Sequence, residues 1–281
     1  MMHSPYPRPR YNVVATTRYG AMIVNRNDWA DNGVVGRGGV GHDLLNTGEY
    51  SQNELDGLAG LIGLCGPDPV LLDVGANIGV HSLVFSELAG PRGRVYAFEA
   101  QRIVYQMLLG NLALNSIENV HAYRVAVGRA AGELKLPPVD YSQPWNFGGM
   151  SLTTEDQEPQ FRPGTPQYAA ADTGEVVPVI PLDSLELPRV DFIKLDVEGM
   201  EEDVLRGATR TLERTRPLIQ AEWWGRDRGS LPLYLLEHLG YRIYQAAINL
   251  VCIPVERAAE ITIHGLPELS AAAIRQGYNL P

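Results

Sequence analysis

A glycine-rich turn and a following acidic residue, in the first third of the chain, could bind a nucleoside cofactor. Residues 70–74 form an apolar run broken only by Asp73, and Gly75 and Gly79 follow at once. This pattern predicts a buried strand that opens through a tight turn into a helix, whose N-terminus is a site for anions. Glu99 ends the next strand-like run, where a carboxylate can accept hydrogen bonds from two ribose hydroxyls.

The spacing of this motif favours S-adenosylmethionine over NAD. Dinucleotide sites use three glycines around a pyrophosphate, and here Asn77 stands at the middle position. Asp73 suits a cationic amino acid, so we expect its carboxylate to face the charged methionine end of the cofactor. Asn77 is also expected to cap the helix that follows, predicted over residues 78–88.

A second group of charged residues could supply the chemistry. Lys194, Asp196 and Glu198 alternate and therefore share one side of a strand if the strand persists. Ligands of open α/β sheets bind beyond the carboxyl ends of the strands, so Asp196 and Glu198 should lie beside the reactive end of the cofactor. Glu222, at the end of another strand-like run, comes to the same edge. Methyl transfer to an alcohol needs a general base near the attacking oxygen, which a carboxylate or the neutral imidazole of His81 can supply.

Other roles for these residues stay open. Lys194 and Asp196 can form an ion pair that merely ties strand to helix, and His81 can be hydrogen-bonded within the helix layer. Asp196, Glu198 and Glu222 could chelate a divalent ion, although no His-rich ligand set supports a metal.

Composition restricts the partners of the chain. Its 281 residues contain 23 Lys and Arg against 33 Asp and Glu, a net charge of −10, which disfavours nucleic acid and anionic membranes. No signal peptide and no membrane-spanning run is evident, so a cytoplasmic location is expected. Cys65 and Cys252 lack the spacing of a metal or redox motif and are expected to be packed thiols.

Alternating strand and helix patterns from residue 70 onward predict an α/β fold with a doubly wound, mostly parallel, seven-stranded sheet. We divide the chain into an N-terminal arm or lid over 1–50, a Rossmann-like domain over 51–255 and a C-terminal tail over 256–281. The domain contains a long insert loop over 137–175, and loops of this length are usually functional or disordered.

Local patterns predict further elements. Ser51 and Glu54 have the spacing of a capping box that starts the helix before the first strand. The patterns also predict helices over 102–114 and from 201 to about 214, one strand over 120–127 and a closing hairpin over 241–255.

Aromatic and amide residues of the arm and the insert loop could form the acceptor site. Trp29, His42 and Tyr50 lie in the arm, and Trp145 and Asn146 lie in the loop. Aromatic faces with amide partners suit a sugar ring, which is apolar on its faces and polar at its edge. The alternative is that these aromatic residues are packed in the core.

Four motifs together carry a resemblance to a known family. They are DVGANIGVHS from Asp73, FEA from Phe98, PLDSL from Pro181 and IKLDVEGMEEDVLRGA from Ile193. With them, the chain resembles FkbM-type methyltransferases over roughly residues 50–254. The resemblance implies a class I methyltransferase that uses S-adenosylmethionine and acts on oxygen, in a family that modifies polyketides and sugars.

The resemblance also implies roles for individual residues. Asp196 and Glu198 match the family's strand-end signature. The expected cofactor-binding residues are Asp73, Gly75, Ala76, Asn77, Gly79, Glu99 and Ala100. The expected function is methyl transfer to a hydroxyl of a sugar or glycan precursor, with a polyketide or other natural product as the alternative acceptor.

Two functions of other classes are weaker. An NAD-dependent oxidoreductase can use a similar sheet, but the Tyr and Lys pair of short-chain reductases is not evident. A catalytically silent nucleotide-binding module would not need three carboxylates at one sheet edge.

Overall fold

A computed structural model gives the fold. It describes residues 10–31, 37–150, 174–225, 227, 229–259, 261 and 263–280. Residues 151–173 of the predicted insert loop lie outside the described part of the chain. Within the described residues, none of the helices combines the length and the apolarity needed to span a bilayer.

Strands and helices alternate through the central part of the chain. The strands are β1 (Asn12–Thr17), β2 (Gly20–Asn25), β3 (Ala30–Asp31), β4 (Arg37–Gly38), β5 (Val70–Val74), β6 (Arg94–Phe98), β7 (Val120–Tyr123), β8 (Ala126–Val127), β9 (Gly132–Leu136), β10 (Glu175–Ile180), β11 (Phe192–Leu195), β12 (Leu218–Glu222), β13 (Tyr241–Ala246), β14 (Asn249–Pro254) and β15 (Glu268–Leu269). The α-helices are α1 (Val40–Asn46), α2 (Gln52–Ile62), α3 (Val80–Ala89), α4 (Arg102–Leu114), α5 (Glu201–Arg206), α6 (Thr209–Thr215), α7 (Ser230–Leu233) and α8 (Ala271–Tyr278). Short 3₁₀ turns lie at Gly63–Cys65 and Leu182–Leu185, and a π-helical turn lies at Tyr234–His238.

The main sheet confirms the predicted doubly wound architecture. Its strand order is β7-β6-β5-β11-β12-β14-β13-β15. The five strands from β7 to β12 are parallel, and the predicted closing hairpin β13-β14 adds antiparallel strands. The short β15 extends the expected seven strands to eight within the described residues.

Both faces of the central strands are buried, as continuous apolar runs predict. Side chains alternate across a strand, so Leu71 belongs to one apolar cluster and Leu72 to the other. In the same way, Phe192 belongs to the cluster of Leu71 and Ile193 to the cluster of Leu72. Both cysteines are buried free thiols, as expected.

The segments on either side of the predicted domain pack against it. The β1-β2 hairpin lies on α4, where Asn111 Oδ1 accepts a hydrogen bond from the amide of Ile23. At the other end of the chain, β15 pairs with β13, and Tyr278 of α8 packs edge-on against Trp223. The division into arm, domain and tail stays a prediction.

Two predicted helix starts are wrong in detail. Helix α3 begins at Val80, because Asn77 and Gly79 have φ angles of 51° and 94° that no α-helix accommodates. Asn77 Oδ1 instead accepts from the neighbouring Ile78 amide. The expected capping box does not form, since Ser51 adopts a left-handed conformation and makes no side-chain cap hydrogen bond.

Two other predicted elements are divided. The helix expected over 201–214 is broken at Gly207, where an added Cβ would lie 2.1 Å from the Gly128 carbonyl oxygen. Asp183 then accepts hydrogen bonds from the first amides of α6, at Arg210 and Thr211. The strand expected over 120–127 splits, because β8 leaves the main sheet and pairs with β10.

Candidate active site

The glycine turn after β5 brings the two sequence motifs into contact. Gly75 has a φ of 83°, and an added Cβ would lie 1.7 Å from the carbonyl oxygen of Asp196. Only glycine fits this position, because the turn lies directly against the end of β11. The same close approach occurs at Gly79, where a Cβ would meet Leu108 at 2.5 Å. The turn that should hold the cofactor is therefore packed against the strand end that should carry the chemistry.

Glu99 is held in place by the backbone of this turn. One of its carboxylate oxygens accepts from the amide of Asn77 at 2.9 Å, and the other accepts from the amide of Gln101 at 2.7 Å. Its side chain is buried, and burial raises the pKa of Glu99 to about 7. Each oxygen keeps further lone pairs, with which the carboxylate can accept hydrogen bonds from a ribose.

A cleft joins these residues to the end of β11. It is lined by Gly75, Glu99, Ala100, Gln101, Asp196 and Glu198, with Val125, Val127, Gly148 and Met150 among its apolar and backbone walls. The cleft holds about 50 Å³, and Gly148 and Met150 are among its walls. This volume is smaller than a nucleoside, so the cleft must widen when a nucleoside binds. The donor set fits S-adenosylmethionine, since the Glu99 carboxylate stands beside apolar walls.

Asp73 lies beneath the turn and does not line the cleft. Its side chain is fully buried, Ser82 donates to its Oδ2 at 2.6 Å, and the Lys194 ammonium lies 3.5 Å from its Oδ1. Burial raises the pKa of Asp73, and Lys194 opposes this effect. Lys194 also donates to the carbonyl oxygen of Gly75 at 3.1 Å. Direct contact of Asp73 with the cofactor stays a prediction; its contacts support the turn from below.

Three carboxylates meet at the sheet edge, as the sequence places them. Asp196, Glu198 and Glu222 each offer an oxygen within 4.8 Å of the others. Lys194 Nζ lies 3.3 Å from Asp196 Oδ2, so one positive charge partly offsets the cluster. Such a set of oxygens could hold a hard divalent cation, which prefers carboxylate ligands.

Glu222 differs from its two neighbours. Burial and the nearby charge of Asp196 raise the pKa of Glu222 to about 8, while a hydrogen bond with Trp224 opposes the shift. Its Oε2 atom is buried and has no hydrogen-bond partner among the described residues. A carboxylate with this pKa can exchange a proton near neutral pH.

Glu201 shapes the loop that carries the cluster, a role that we did not predict. Its carboxylate accepts from the amides of Val197 and Gly199, and burial raises the pKa of Glu201 to about 7. Glu198, between these two amides, has a φ of 52°. The acidic run after the strand was visible in the sequence, but nothing there distinguished the residue that turns back to the loop.

His81 and Tyr50 approach the cluster from other elements. His81 is buried on α3 with its Nε2 3.9 Å from Glu54 Oε1, and burial with Lys194 lowers the pKa of the ring well below its ordinary value. Burial, Asp196 and Glu54 raise the pKa of the Tyr50 phenol. His81 is therefore neutral, but it does not line the cofactor cleft.

The other predicted acceptor residues lie apart from the cluster. Trp145 is 4% exposed and packs edge-on against Phe147, so its ring supports the loop from inside. Asn146 lies beside it, and its carbonyl accepts from the Gly149 amide. His42 is on α1, 3.0 Å from Asp43. Half-buried Trp29 precedes β3, and neither Trp29 nor His42 lines the cleft. The acceptor roles of these residues stay predictions.

Asp28 ties the arm to the loop beside the cleft, a role that no sequence pattern indicated. Its two oxygens accept from the amides of Gly41 and Phe147, and burial raises its pKa to about 6. Gln101 adds a second tie, since its side-chain amide donates to the Phe147 carbonyl and its oxygen accepts from Tyr141.

Comparison with known proteins decides the family. A family model for the methyltransferase FkbM domain matches residues 73–243, more than half of the chain. The chain belongs to the FkbM methyltransferase family. The resemblance read from the four motifs is thereby confirmed, and the sheet described above is a class I methyltransferase fold.

Several relatives with curated names share about half of the chain. "Methyltransferase 1" of Beauveria bassiana is 31% identical over 150 residues, which are 50% of this chain and 58% of the relative. "2-O-methyltransferase NoeI" of Sinorhizobium fredii is 27% identical over 59% of this chain and 69% of its own length. "Hexuronic acid methyltransferase AglP" of Haloferax volcanii is 28% identical over 54% of this chain and 55% of its own length. The chain thus spans little more than half the length of some of these relatives.

One solved structure carries the same family name. The crystal structure of methyltransferase FkbM from Methylobacillus flagellatus aligns over 66% of this chain and 44% of its own, with 18% identity and a TM-score of 0.45.

Proposed function

We propose that this protein is an S-adenosylmethionine-dependent O-methyltransferase that acts on a hydroxyl of a sugar or glycan precursor. One observation carries the proposal: the cleft that contains Glu99 and the glycine turn is also lined by Asp196 and Glu198. A nucleoside held by the first group therefore has its reactive end beside the second. When bound, the cofactor supplies a sulfonium methyl group to the acceptor oxygen.

Residues of the chain bind the cofactor, take up the proton of the acceptor and orient the acceptor. Glu99 holds the ribose, and Gly75 lets the backbone of the turn approach the cofactor closely. Glu222 takes the proton of the acceptor hydroxyl on its Oε2, because this oxygen has no partner among the described residues and the pKa of Glu222, about 8, lies near neutral pH. Asp196, paired with Lys194, accepts a hydrogen bond from the acceptor and orients it.

Two observations support a sugar as the acceptor. One relative of the chain carries the name hexuronic acid methyltransferase, and another, named 2-O-methyltransferase, supports transfer to oxygen. In addition, Trp224 is 55% exposed and its side chain is hydrogen-bonded to Glu222, so an indole face lies beside the carboxylates. An aromatic face next to hydrogen-bond acceptors suits a sugar ring better than the buried Trp145 does.

Ligand binding and turnover together test this proposal. S-adenosylmethionine should raise the melting temperature of the purified chain, and NAD should not. With labelled cofactor, methyl transfer should occur to neutral glycosides or nucleotide sugars. A shift with NAD alone would refute the cofactor, and transfer only to macrolide-like alcohols would refute the sugar.

The Trp224→Ala variant tests the stacking face separately. Loss of a ring contact should raise the acceptor KM by roughly 3- to 10-fold and change kcat less, as expected when binding alone is removed. Trp224→Phe keeps a ring, so its acceptor KM should lie between those of the parent and of Trp224→Ala. An unchanged KM in Trp224→Ala would remove this residue from the acceptor site.

A further inference from the structure

A groove of about 730 Å³ lies between α2, the β12-β14 strands and residues 263–266. It shares no lining residue with the cofactor cleft. Its volume falls within the range of small-molecule sites. None of the roles described so far uses this groove.

Among the described residues, the groove is lined by apolar ones and by seven polar ones, and the part around Glu54, Gln220 and Asn249 is called its polar end. The other polar lining residues are Ser51, Gln52, Asn53 and His264. At the polar end, Glu54 Oε1 accepts from the side-chain amide of Gln220 at 2.7 Å and from that of Asn249 at 3.4 Å. The apolar part is formed by Leu58, Leu61, Ile248, Val251, Ile263 and Leu266. An apolar wall with a few converging polar groups is typical of a ligand site.

Gln220 gives an independent sign of a ligand at the polar end. It is 4% exposed, yet its Oε1 has no hydrogen-bond partner among the described residues. Because Glu54 can only accept, it fixes the amide nitrogen of Gln220 toward itself and turns the oxygen elsewhere. A buried acceptor without a donor is unfavourable, and a ligand hydroxyl at this end would relieve it.

The polar end adjoins the carboxylate cluster. Gln220 and Glu222 are alternate residues of β12, so they point to the same face about 6 to 7 Å apart along the strand. Asn249 is the direct register partner of Glu222 on β14. A molecule whose hydroxylated end reaches Glu222 therefore has the groove beside it.

We propose that this groove binds the apolar substituent of an amphiphilic acceptor, whose neutral sugar end lies at Glu54, Gln220 and the carboxylate cluster. The proposal rests on the proposed function for the chemistry at Glu222. The head group is neutral because the carboxylates of Glu54 and Asp196 would repel an anion. The acceptor is thus a glycoside with an alkyl or similar apolar chain, rather than a free sugar or an acidic sugar.

A chain-length series of alkyl glucosides tests the groove. Binding of methyl, butyl, hexyl and octyl β-glucoside is measured by calorimetry below the micelle concentration, in the presence of the demethylated cofactor. In the parent protein, the Kd should fall by roughly 2- to 4-fold for each added CH₂ that the groove buries. Octyl glucuronide should bind more weakly than octyl glucoside.

Two glycines of α2 provide a matched pair of variants. A Cβ at Gly57 meets nothing within 4 Å, and this residue lines the groove, so Gly57→Phe should place a ring in the groove without a clash at its Cβ. A Cβ at Gly60 is equally unhindered, but Gly60 is exposed and outside the groove. Gly57→Phe should abolish the dependence on chain length, and Gly60→Phe should keep it. Both variants should bind S-adenosylmethionine as the parent does.

The outcomes separate this proposal from the proposed function. If the Kd does not depend on chain length in the parent, or if Gly57→Phe leaves this dependence unchanged, the groove does not bind the apolar chain, even if glycosides are methylated. A chain-length effect that Gly57→Phe removes supports the groove even if no glycoside is methylated, in which case the sugar acceptor is wrong.

Discussion

Two glutamates at the same edge of the main sheet, the buried Glu99 after β6 and the half-buried Glu222 at the end of β12, differ in how their oxygens are used. Both oxygens of Glu99 accept hydrogen bonds from backbone amides, and burial raises its pKa to about 7. Glu222 has one buried oxygen with no hydrogen-bond partner among the described residues, and burial with Asp196 raises its pKa to about 8. The comparison indicates that Glu99, whose two oxygens both accept hydrogen bonds, holds a ligand in a fixed position, whereas Glu222 exchanges a proton.

The largest expected effect is on catalysis by Glu222→Gln. Removal of a general base should lower kcat by roughly 10²- to 10⁴-fold. In the parent, kcat/KM should rise as the pH increases through about 8, because the base must be deprotonated. Steady-state rates from pH 6 to 9 measure both effects, with the exposed Glu213→Gln as the control. Near-normal turnover in Glu222→Gln would transfer the role of base to Asp196 or Glu198.

The next effect is on cofactor affinity. Glu99→Ala should weaken binding of S-adenosylmethionine by roughly 1.5 to 3 kcal/mol, which is about 10- to 150-fold, because hydrogen bonds to a charged group are lost. Calorimetry measures this, and Glu133→Gln on the exposed β9 serves as the control. Parent affinity should also fall as the pH drops below about 7, since protonated Glu99 accepts fewer hydrogen bonds. Equal affinities in the variant and the parent would place Glu99 outside the site.

The pH dependence of stability should distinguish Glu222 from a residue that serves folding. The pKa of Glu222 is about 8 in the native state and 4.5 in the absence of perturbation, so the native state binds more protons between these values. The free energy of unfolding therefore falls as the pH rises through this window. Glu222→Gln should be more stable than the parent by about 1 to 3 kcal/mol at pH 9 and similar at pH 4. If the urea midpoints of the variant and the parent differ by the same amount at every pH in this range, the raised pKa of Glu222 is contradicted.

The smallest expected effect is that of chelation. Lys194 lies 3.3 Å from Asp196 and already supplies positive charge to the cluster, so EDTA should change the rate by less than about 2-fold. Loss of activity that Mg²⁺ restores would instead identify Asp196, Glu198 and Glu222 as metal ligands.

Local sequence patterns correctly predicted those elements whose structure depends on residues close in sequence. The strand before the turn, helix α4 at residues 102–114 and the closing hairpin agree with prediction. Long-range packing altered the other elements. The predicted helix ends at Gly207, which packs directly against the Gly128 carbonyl of another segment, and β8 leaves the main sheet to pair with β10.

Glu54 shows why the site could be predicted only in part. Its spacing from Ser51 is that of a capping box, but in the folded chain its carboxylate accepts from Gln220 and Asn249. These residues are 166 and 195 positions away. A polar residue in an otherwise apolar strand, such as Gln220, indicates that its side chain needs a hydrogen-bond partner, but it does not identify that partner.

Sequence patterns were enough to predict the family, the glycine turn, the acid at Glu99 and the sheet edge at which Asp196, Glu198 and Glu222 meet. These depend on periodicity, on glycine positions and on the rule that parallel strands end at one edge. Three features required the folded chain: the carboxylate oxygen that has no partner among the described residues, the contacts by which Asp28 ties the arm to the loop, and the groove beside α2. Burial and hydrogen-bond satisfaction depend on distant segments that pack together, and no local pattern contains that information.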